Sequence, residues 1–346
     1  MNLKGKNMSD IKLYPETMQA VFLDGPTGRL AVKEVKIPEP GPDEVLVKMS
    51  ASPVNPSDLA RIKDALAEFD LATYIPGLEG SGRVVGAGKG MLPRLWLGKR
   101  VACSAHYITS GTWAEYMVTK AVSCFPLGEK ISDEQGSMSL VNPLTALAFF
   151  EIAKKHRHKA IINNAAASAL GRMIELLGKK RGIPVINIVR NQKQAGMLRQ
   201  LGSRYILDSS VPSFIGDLGT ISHDMRATLL LDSVCSRQLE LMCDALPPDS
   251  TIMIYGNLSG EEQIFFKPRT LISNNINISG FYLGASAKKN SLFSNMMNLR
   301  EVSSLMSKDL KISIQERFPL SGIQEAVDTY LANMSAGKVL IVADIK

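Results

Sequence analysis

Residues 160–190 constrain this chain more than any other stretch. The apolar run Ala160-Ile161-Ile162 leads into a row of small side chains, Asn163-Asn164-Ala165-Ala166-Ala167-Ser168-Ala169-Leu170-Gly171. Met173, Ile174, Leu176 and Leu177 then follow at helical spacing. A second apolar run, Ile183 to Val189, ends in Arg190. The order spells strand, tight turn, helix, strand. Small residues at such a turn let backbone approach a ligand, and the helix start offers N–H groups without intrahelical partners to an anion. Against the dinucleotide fingerprint G-x-G-x-x-G, Ala166, Ser168 and Gly171 fall at the glycine positions, so only the last glycine is kept. The run fits a nucleotide loop or an ordinary strand-to-helix turn. In a dinucleotide unit, the end of the second strand carries an acid for the adenosine ribose or an arginine for a 2′-phosphate.

The same alternation continues. Apolar strands at Ala160–Asn163, Val185–Val189, Tyr205–Leu207, Thr228–Leu231, Thr251–Tyr255 and Ile276–Ser279 are separated by helix-length segments such as Gln192–Leu201 and Ser236–Ala245. That grammar predicts a parallel, doubly wound sheet, with ligands outside the carboxyl ends of its strands. Before Asn142 the pattern is different. Glu44–Met49 alternates as a half-buried strand does, and Arg83-Val84-Val85, Gly98–Cys103 and Ala114–Val118 continue the short β runs. The first strand is expected at Met18–Phe22, after a frayed extension from Met1 to Glu16. The tail gives helices over Leu292–Met306 and Ile323–Met334 and a last strand from Gly337 to Val342. A distorted barrel built from both ends, residues 1–141 and 286–346, with a nucleotide-binding domain over 142–285 inserted between them, is the expected architecture. A chain of 346 residues is long enough for two cores.

The four cysteines, Cys103, Cys124, Cys235 and Cys243, are scattered and form no CxxC pair. Neither a zinc site nor a disulfide framework fits, and a reducing cytoplasm is the expected compartment. Cys235 and Cys243 read as buried small residues. No apolar run approaches the roughly 20 residues of a membrane span, so no membrane partner is expected. The net charge of +7 gathers in Lys154-Lys155-His156-Arg157-His158-Lys159 and Lys179-Lys180-Arg181. Both clusters suit helix ends, where cations are favourable, or recruitment of an anionic cofactor or acyl carrier. Without aromatic interleaving or a recognition motif, nucleic acid is not an expected partner.

Six segments, in order, carry a family resemblance: Asn55-Pro56-Ser57-Asp58, Pro76–Val84, Gly111–Tyr116, Asn142–Ala146, the Ala165–Gly171 turn, and Gly337-Lys338-Val339. The chain resembles the medium-chain dehydrogenase/reductases, in the zinc-independent branch of quinone oxidoreductases and enoyl-thioester reductases. The resemblance implies a GroES-like distorted β-barrel plus an inserted Rossmann domain. It also implies NADPH as cofactor, with Arg190, helped by Lys193, on the 2′-phosphate. Around the cofactor it places Ser168, Ala169, Leu170, Gly171, Asn142, Thr145, Gly256, Asn257, Phe281, Leu283 and Lys338. Zinc enzymes of the family carry Gly-His-Glu where Gly77-Leu78-Glu79 stands here, and a cysteine ligand in the Asn55–Asp58 segment. Leucine binds no metal, so no metal site is expected.

Zinc-independent relatives reduce activated double bonds or quinones. The expected reaction is hydride transfer to an electron-poor small molecule, a quinone or α,β-unsaturated carbonyl. Enoyl-thioester reductases place a tyrosine donor after the Asn-Pro-Ser-Asp segment, where Leu66 stands here with Ala65 and Ala67 beside it. Tyr74 is the replacement candidate, and Asn55 the candidate for orienting cofactor or substrate, with an Asx turn as its alternative. Asp58 is expected to cap a helix over Leu59–Leu66. A 2-enoyl-CoA or acyl-carrier thioester reductase is the alternative enzyme. A non-catalytic nucleotide- or RNA-binding relative is the alternative of another class, because Cys235-Ser236 replaces the paired glycines common among relatives. A homodimer is expected, with Ile276–Ser279 as the pairing edge strand.

Overall fold

The computed structural model describes residues 14–24, 28–68, 73–289, 291–308 and 310–343. Most of the extension expected before Thr17 lies outside them. The chain forms two compact units. One comprises Met1–Leu140, Ile314–Ala332 and Lys338–Lys346; the other comprises Val141–Ser313 and Asn333–Gly337.

The first unit opens with strands β1 (Thr17–Asp24) and β2 (Arg29–Lys36), an antiparallel pair. Strand β3 (Glu44–Pro53) is followed by helix α1 (Pro56–Glu68), β4 (Glu79–Ala87), α2 (Met91–Trp96), β5 (Arg100–Ser104), β6 (Tyr116–Lys120), β7 (Cys124–Pro126) and α3 (Asp133–Ser137). The half-buried reading of β3 holds for most of the strand: Val45, Val47 and Met49 join a core with Val84, Val101 and Met117, while on the other face Leu46 joins a core with Ala20, Phe22 and Tyr116 and Lys48 is exposed. Its pairing with both β4 and β6 makes it central.

The second unit starts at α4 (Val141–Lys155). It continues through β8 (Ile161–Asn163), α5 (Ala169–Arg181), β9 (Val185–Val189), α6 (Gln192–Gln200), β10 (Tyr205–Asp208), α7 (Phe214–Asp224), β11 (Leu229–Asp232), α8 (Gln238–Ala245), β12 (Thr251–Ile254), α9 (Pro268–Ser273) and β13 (Asn277–Gly280). The sheet is parallel in the order β10-β9-β8-β11-β12-β13, the Rossmann order with its switch point between β8 and β11. Phe214, Leu218, Leu239 and Met242 cover it in a core with Ile162, Ile186, Leu230 and Ile252. Helices α10 (Leu283–Lys289) and α11 (Leu292–Lys308) complete the unit.

The chain returns to the first unit at β14 (Ile314–Phe318), α12 (Ile323–Ala332) and β15 (Lys338–Val342), giving a sheet ordered β14-β15-β3-β4-β5-β7 with β6 also on β3. The expected return at residue 286 is therefore corrected to 314. Residues 286–313 stay with the sheet unit because α11 packs on α4, and Arg181 at the end of α5 pairs with Glu301 of α11 at 2.8 Å. The basic clusters are helix ends as expected, with Lys154 and Lys155 in the last turn of α4 and Lys179–Arg181 in the last turn of α5.

Candidate active site

The loop after β8 is braced by side-chain hydrogen bonds. Asn164 Oδ1 accepts from the Ala165 N–H at 2.8 Å, and Asn164 Nδ2 donates to Asp232 Oδ2 at 2.5 Å. Asp232, buried at the end of β11, also accepts from the N–H groups of Val234 and Cys235 at 2.9 and 2.7 Å. One carboxylate thus ties together the loops after β8 and β11. Ala165 takes φ 53°, the left-handed region that favours glycine. Ser168 caps α5, its hydroxyl accepting from Gly171 N–H at 3.0 Å.

The Gly171 N–H is already bonded, whereas the N–H groups of Ala169 and Leu170 have no partner among the described residues. Gly171 serves close packing instead: a Cβ there would stand 2.5 Å from the Ala166 carbonyl oxygen. Beneath it lies a buried polar chain. Asn163 donates to the Gly171 carbonyl and to Asn187 Oδ1, and Asn187 donates to Glu175 Oε2. Ala166 shares a small core with Val189, which sets the end of β9 beside the loop. Arg190 follows it, exposed, its N–H donating to Gln194 Oε1 at 3.1 Å; its guanidinium has no partner among the described residues. Lys193 is exposed in the first turn of α6.

Asn142 and Thr145 lie inside α4, not ahead of it, and Thr145 is buried. Asn257 is engaged locally, donating to the Glu261 carbonyl and accepting from the Ser259 hydroxyl. Gly256 packs against Ser233. Phe281 donates its N–H to the Ile254 carbonyl and sets its ring 4.8 Å from Phe149, which also meets Tyr255 at 5.0 Å; Leu283 opens α10. Burial holds the Tyr255 hydroxyl up at about 12.

The first unit holds a buried polar cluster that the sequence did not suggest. Lys338, expected to reach the cofactor, is buried at the start of β15, and its Nζ donates to Asn55 Oδ1. Asn55 Nδ2 donates to Glu79 Oε1 at 3.1 Å, and Glu79 Oε2 accepts from Leu140 N–H at 3.1 Å. One donor and one acceptor site of the Asn55 amide are thereby used within the unit, and its Oδ1 bonds Lys338, not an N–H two residues on as an Asx turn would have it. Asp58, in the first turn of α1, accepts from the N–H of Asn55 and of Leu78, each at 2.8 Å. The first of these is the backward half of a capping box; the second ties α1 to the segment before β4. Gly77 beside it has φ 98°, and a Cβ there would strike Thr112 Oγ1 at 2.4 Å.

Two carboxylates and one ammonium share this dry interior. Desolvation pushes Asp58 up to about 7, against the lowering effect of its N–H donors. Desolvation likewise lowers Lys338, opposed by Glu79 and Asp58. Tyr74 is buried, and desolvation raises its hydroxyl to about 12.

Among the described residues no group of three or more His, Cys, Asp or Glu side chains could hold a metal ion. Leu78 offers no ligand atom, and Asn55 is committed to Lys338 and Glu79. The residues present do not fit a catalytic zinc. All four cysteines are free and buried. No helix among the described residues is long and apolar enough to cross a membrane.

Comparison with known proteins covers both units. Residues 41–129 match the Alcohol dehydrogenase GroES-like domain, and residues 169–300 match the family described as Zinc-binding dehydrogenase. A mitochondrial enoyl-[acyl-carrier-protein] reductase of Caenorhabditis elegans is 28% identical over 266 residues, 75% of each chain. A quinone oxidoreductase of Rattus norvegicus is 21% identical, over 77% of this chain and 79% of that one. Among solved structures, a candidate NADPH:quinone reductase from Mesorhizobium loti superposes with a TM-score of 0.88 at 29% identity, covering 95% of this chain and 99% of that one.

Proposed function

Because the chain belongs to the medium-chain dehydrogenase/reductase family, in its quinone and enoyl reductase branch, we propose that it is an NADPH-dependent reductase of quinones or α,β-unsaturated carbonyls. The observation that carries the cofactor choice is Arg190. It stands exposed at the end of β9, where an NAD-preferring unit would present an acid, and a guanidinium pairs bidentately with phosphate. Lys193 adds a second cation within the next helical turn. The open N–H groups of Ala169 and Leu170, at the positive end of α5, suit a pyrophosphate.

Bound NADPH would supply a hydride from C4 of its nicotinamide ring. The protein's part is to hold the acceptor and stabilise the charge that builds on its oxygen. We assign the proton-donor role to Tyr74, the buried tyrosine that follows the Asn55–Asp58 segment. Asn55 acts as a positioning residue that fixes Lys338. Four free buried cysteines suit the reducing cytoplasm we propose as the compartment. A second copy is proposed to pair along β13, an edge strand whose four residues are all exposed.

The identity to the worm enoyl reductase favours a second reading, in which the acceptor is a 2-enoyl thioester. NADPH oxidation measured with a simple quinone beside crotonyl-CoA separates the two, and a large preference for the thioester selects the second. Arg190→Ala should lose its preference for NADPH over NADH by at least tenfold while keeping some NADH binding. Unchanged selectivity refutes the cofactor assignment, and calorimetry showing no binding of either nucleotide selects a non-catalytic relative.

A further inference from the structure

We propose that the α2 corner of the first unit docks on an anionic lipid surface. The segment Lys89-Gly90-Met91-Leu92-Pro93-Arg94-Leu95-Trp96-Leu97-Gly98-Lys99-Arg100 contains four cations and no acid. It links β4 to β5, which needs only a short connection. Pro93 is buried and anchors α2 to the unit, and the Trp96 indole donates to the Ala121 carbonyl at 2.9 Å. The opposite face is apolar and open. Met91 is 81% exposed, Leu95 57% and Leu97 55%. Met91 and Leu95 are four residues apart and so share one side of the helix.

A neighbouring turn adds a further exposed apolar side chain. The 3-10 turn Ala121–Ser123 packs against α2 through that Trp96 bond, and its Val122 is 70% exposed. Cations are carried by the same two segments. Lys89, Arg94 and Lys99 are exposed, Lys120 precedes the turn, and Lys99 Nζ lies 5.1 Å from the Trp96 ring centroid. The neighbouring acids are few. Asp43 Oδ1 faces Gly90, and Asp133 is occupied by Arg100 at 2.8 Å.

Side chains more than half exposed project from a surface instead of lining a groove. Projecting apolar tips on short segments that also carry exposed cations suit a deformable apolar layer under anionic headgroups. A rigid protein partner would need a complementary pocket for each tip. The expectation of no membrane partner considered only spanning segments, and this surface revises it. The proposal is independent of the reaction assigned to the protein.

The test is co-sedimentation of the full chain with vesicles of phosphatidylcholine alone and of phosphatidylcholine with phosphatidylserine in equal parts. Binding is expected only to the second, and should weaken with added salt. Each cation near such a surface contributes roughly fivefold to partitioning, so combining Lys89→Gln, Arg94→Gln and Lys99→Gln should lower it on the order of a hundredfold. Met91→Glu with Leu95→Glu should abolish it. All five positions are exposed, so thermal unfolding should be unchanged in both variants. The proposal is overturned if the wild type fails to sediment with the anionic vesicles, or if both variants sediment as it does. It is equally overturned if the patch instead mediates a concentration-dependent dimer, or captures a purified acyl carrier protein without vesicle binding.

Discussion

Replacing Asp58 by Asn should change how stability depends on pH. The folded carboxyl sits at about 7 where the unfolded one sits at 3.8, because desolvation outweighs its two N–H donors. The folded protein therefore binds this proton more tightly than the unfolded chain does. Between these two values the unfolded state has released the proton and the folded state retains it. Stability conferred by this group is thus greatest at acid pH and declines as pH rises toward 7, then levels off. At about 1.4 kcal/mol per pKa unit, the displacement corresponds to roughly 4 kcal/mol across that window. Lys338, lowered by burial, contributes with the opposite sign at higher pH, and it is present in both proteins. The measurement is urea unfolding at half-unit steps from pH 4.5 to 8. Asp58→Asn will be less stable throughout, since its amide cannot accept from both Asn55 and Leu78 without presenting a donor to a donor. The informative quantity is the difference between the curves, which should shrink by several kcal/mol as pH rises. Parallel curves would show that Asp58 is ionised throughout, and the account of a protonated buried cluster would fall.

Two further substitutions probe the same logic. Lys338→Met leaves Asn55 Oδ1 unpaired and removes the positive charge that faces Asp58 and Glu79, so it should cost about 3–5 kcal/mol, read as a fall in thermal midpoint; a loss below ~1 kcal/mol would mean the cluster is already neutral. Gly171→Ala puts a methyl group 2.5 Å from the Ala166 carbonyl oxygen and should cost roughly 1–3 kcal/mol by overpacking, with nucleotide affinity falling as the loop shifts. Undiminished affinity would place the nucleotide away from this loop.

The sheet unit was legible because its signal is local. Each strand is a short apolar run bounded by a turn, and the six were found within a residue or two of their ends. What escaped the sequence depends on contacts between distant segments. Lys338 and Asn55 are 283 residues apart, and Asn55 and Glu79 are 24 apart. A lysine at the start of a strand carries no mark of burial. The spacing of Asn55 and Asp58 did hold a clue, since it is that of a capping box, but it said nothing of Leu78. Strand β3 showed alternation in six residues, and only Leu46 on its second face departs from it by joining a second core. Helix α11 was read correctly as a helix and assigned to the wrong unit, because its allegiance rests on Arg181 and Glu301.

One turn residue of the loop after β8 is strained, and the loop's own bonds explain how it is held. An L-residue in the left-handed region costs about 1–2 kcal/mol, and Ala165 occupies it at φ 53°. The conformation persists because its neighbours determine it. Asn164 Oδ1 takes the Ala165 N–H, Ser168 N–H donates to the Ala165 carbonyl at 3.0 Å, and Asp232 holds Asn164 from below. The loop has thus replaced backbone freedom with side-chain bracing. Ala165→Gly should then relieve the strain, and after the added entropy of an unfolded glycine is deducted it should stabilise the protein by roughly 0.5–1 kcal/mol. In an Asn164→Ala background the bracing is gone and the strain is no longer held in place. The same Gly substitution should there have a smaller effect, and the double-mutant cycle measures that coupling. Strict additivity would mean that Asn164 and Asp232 do not hold the turn, and the account of a braced left-handed residue at 165 would lose its physical basis.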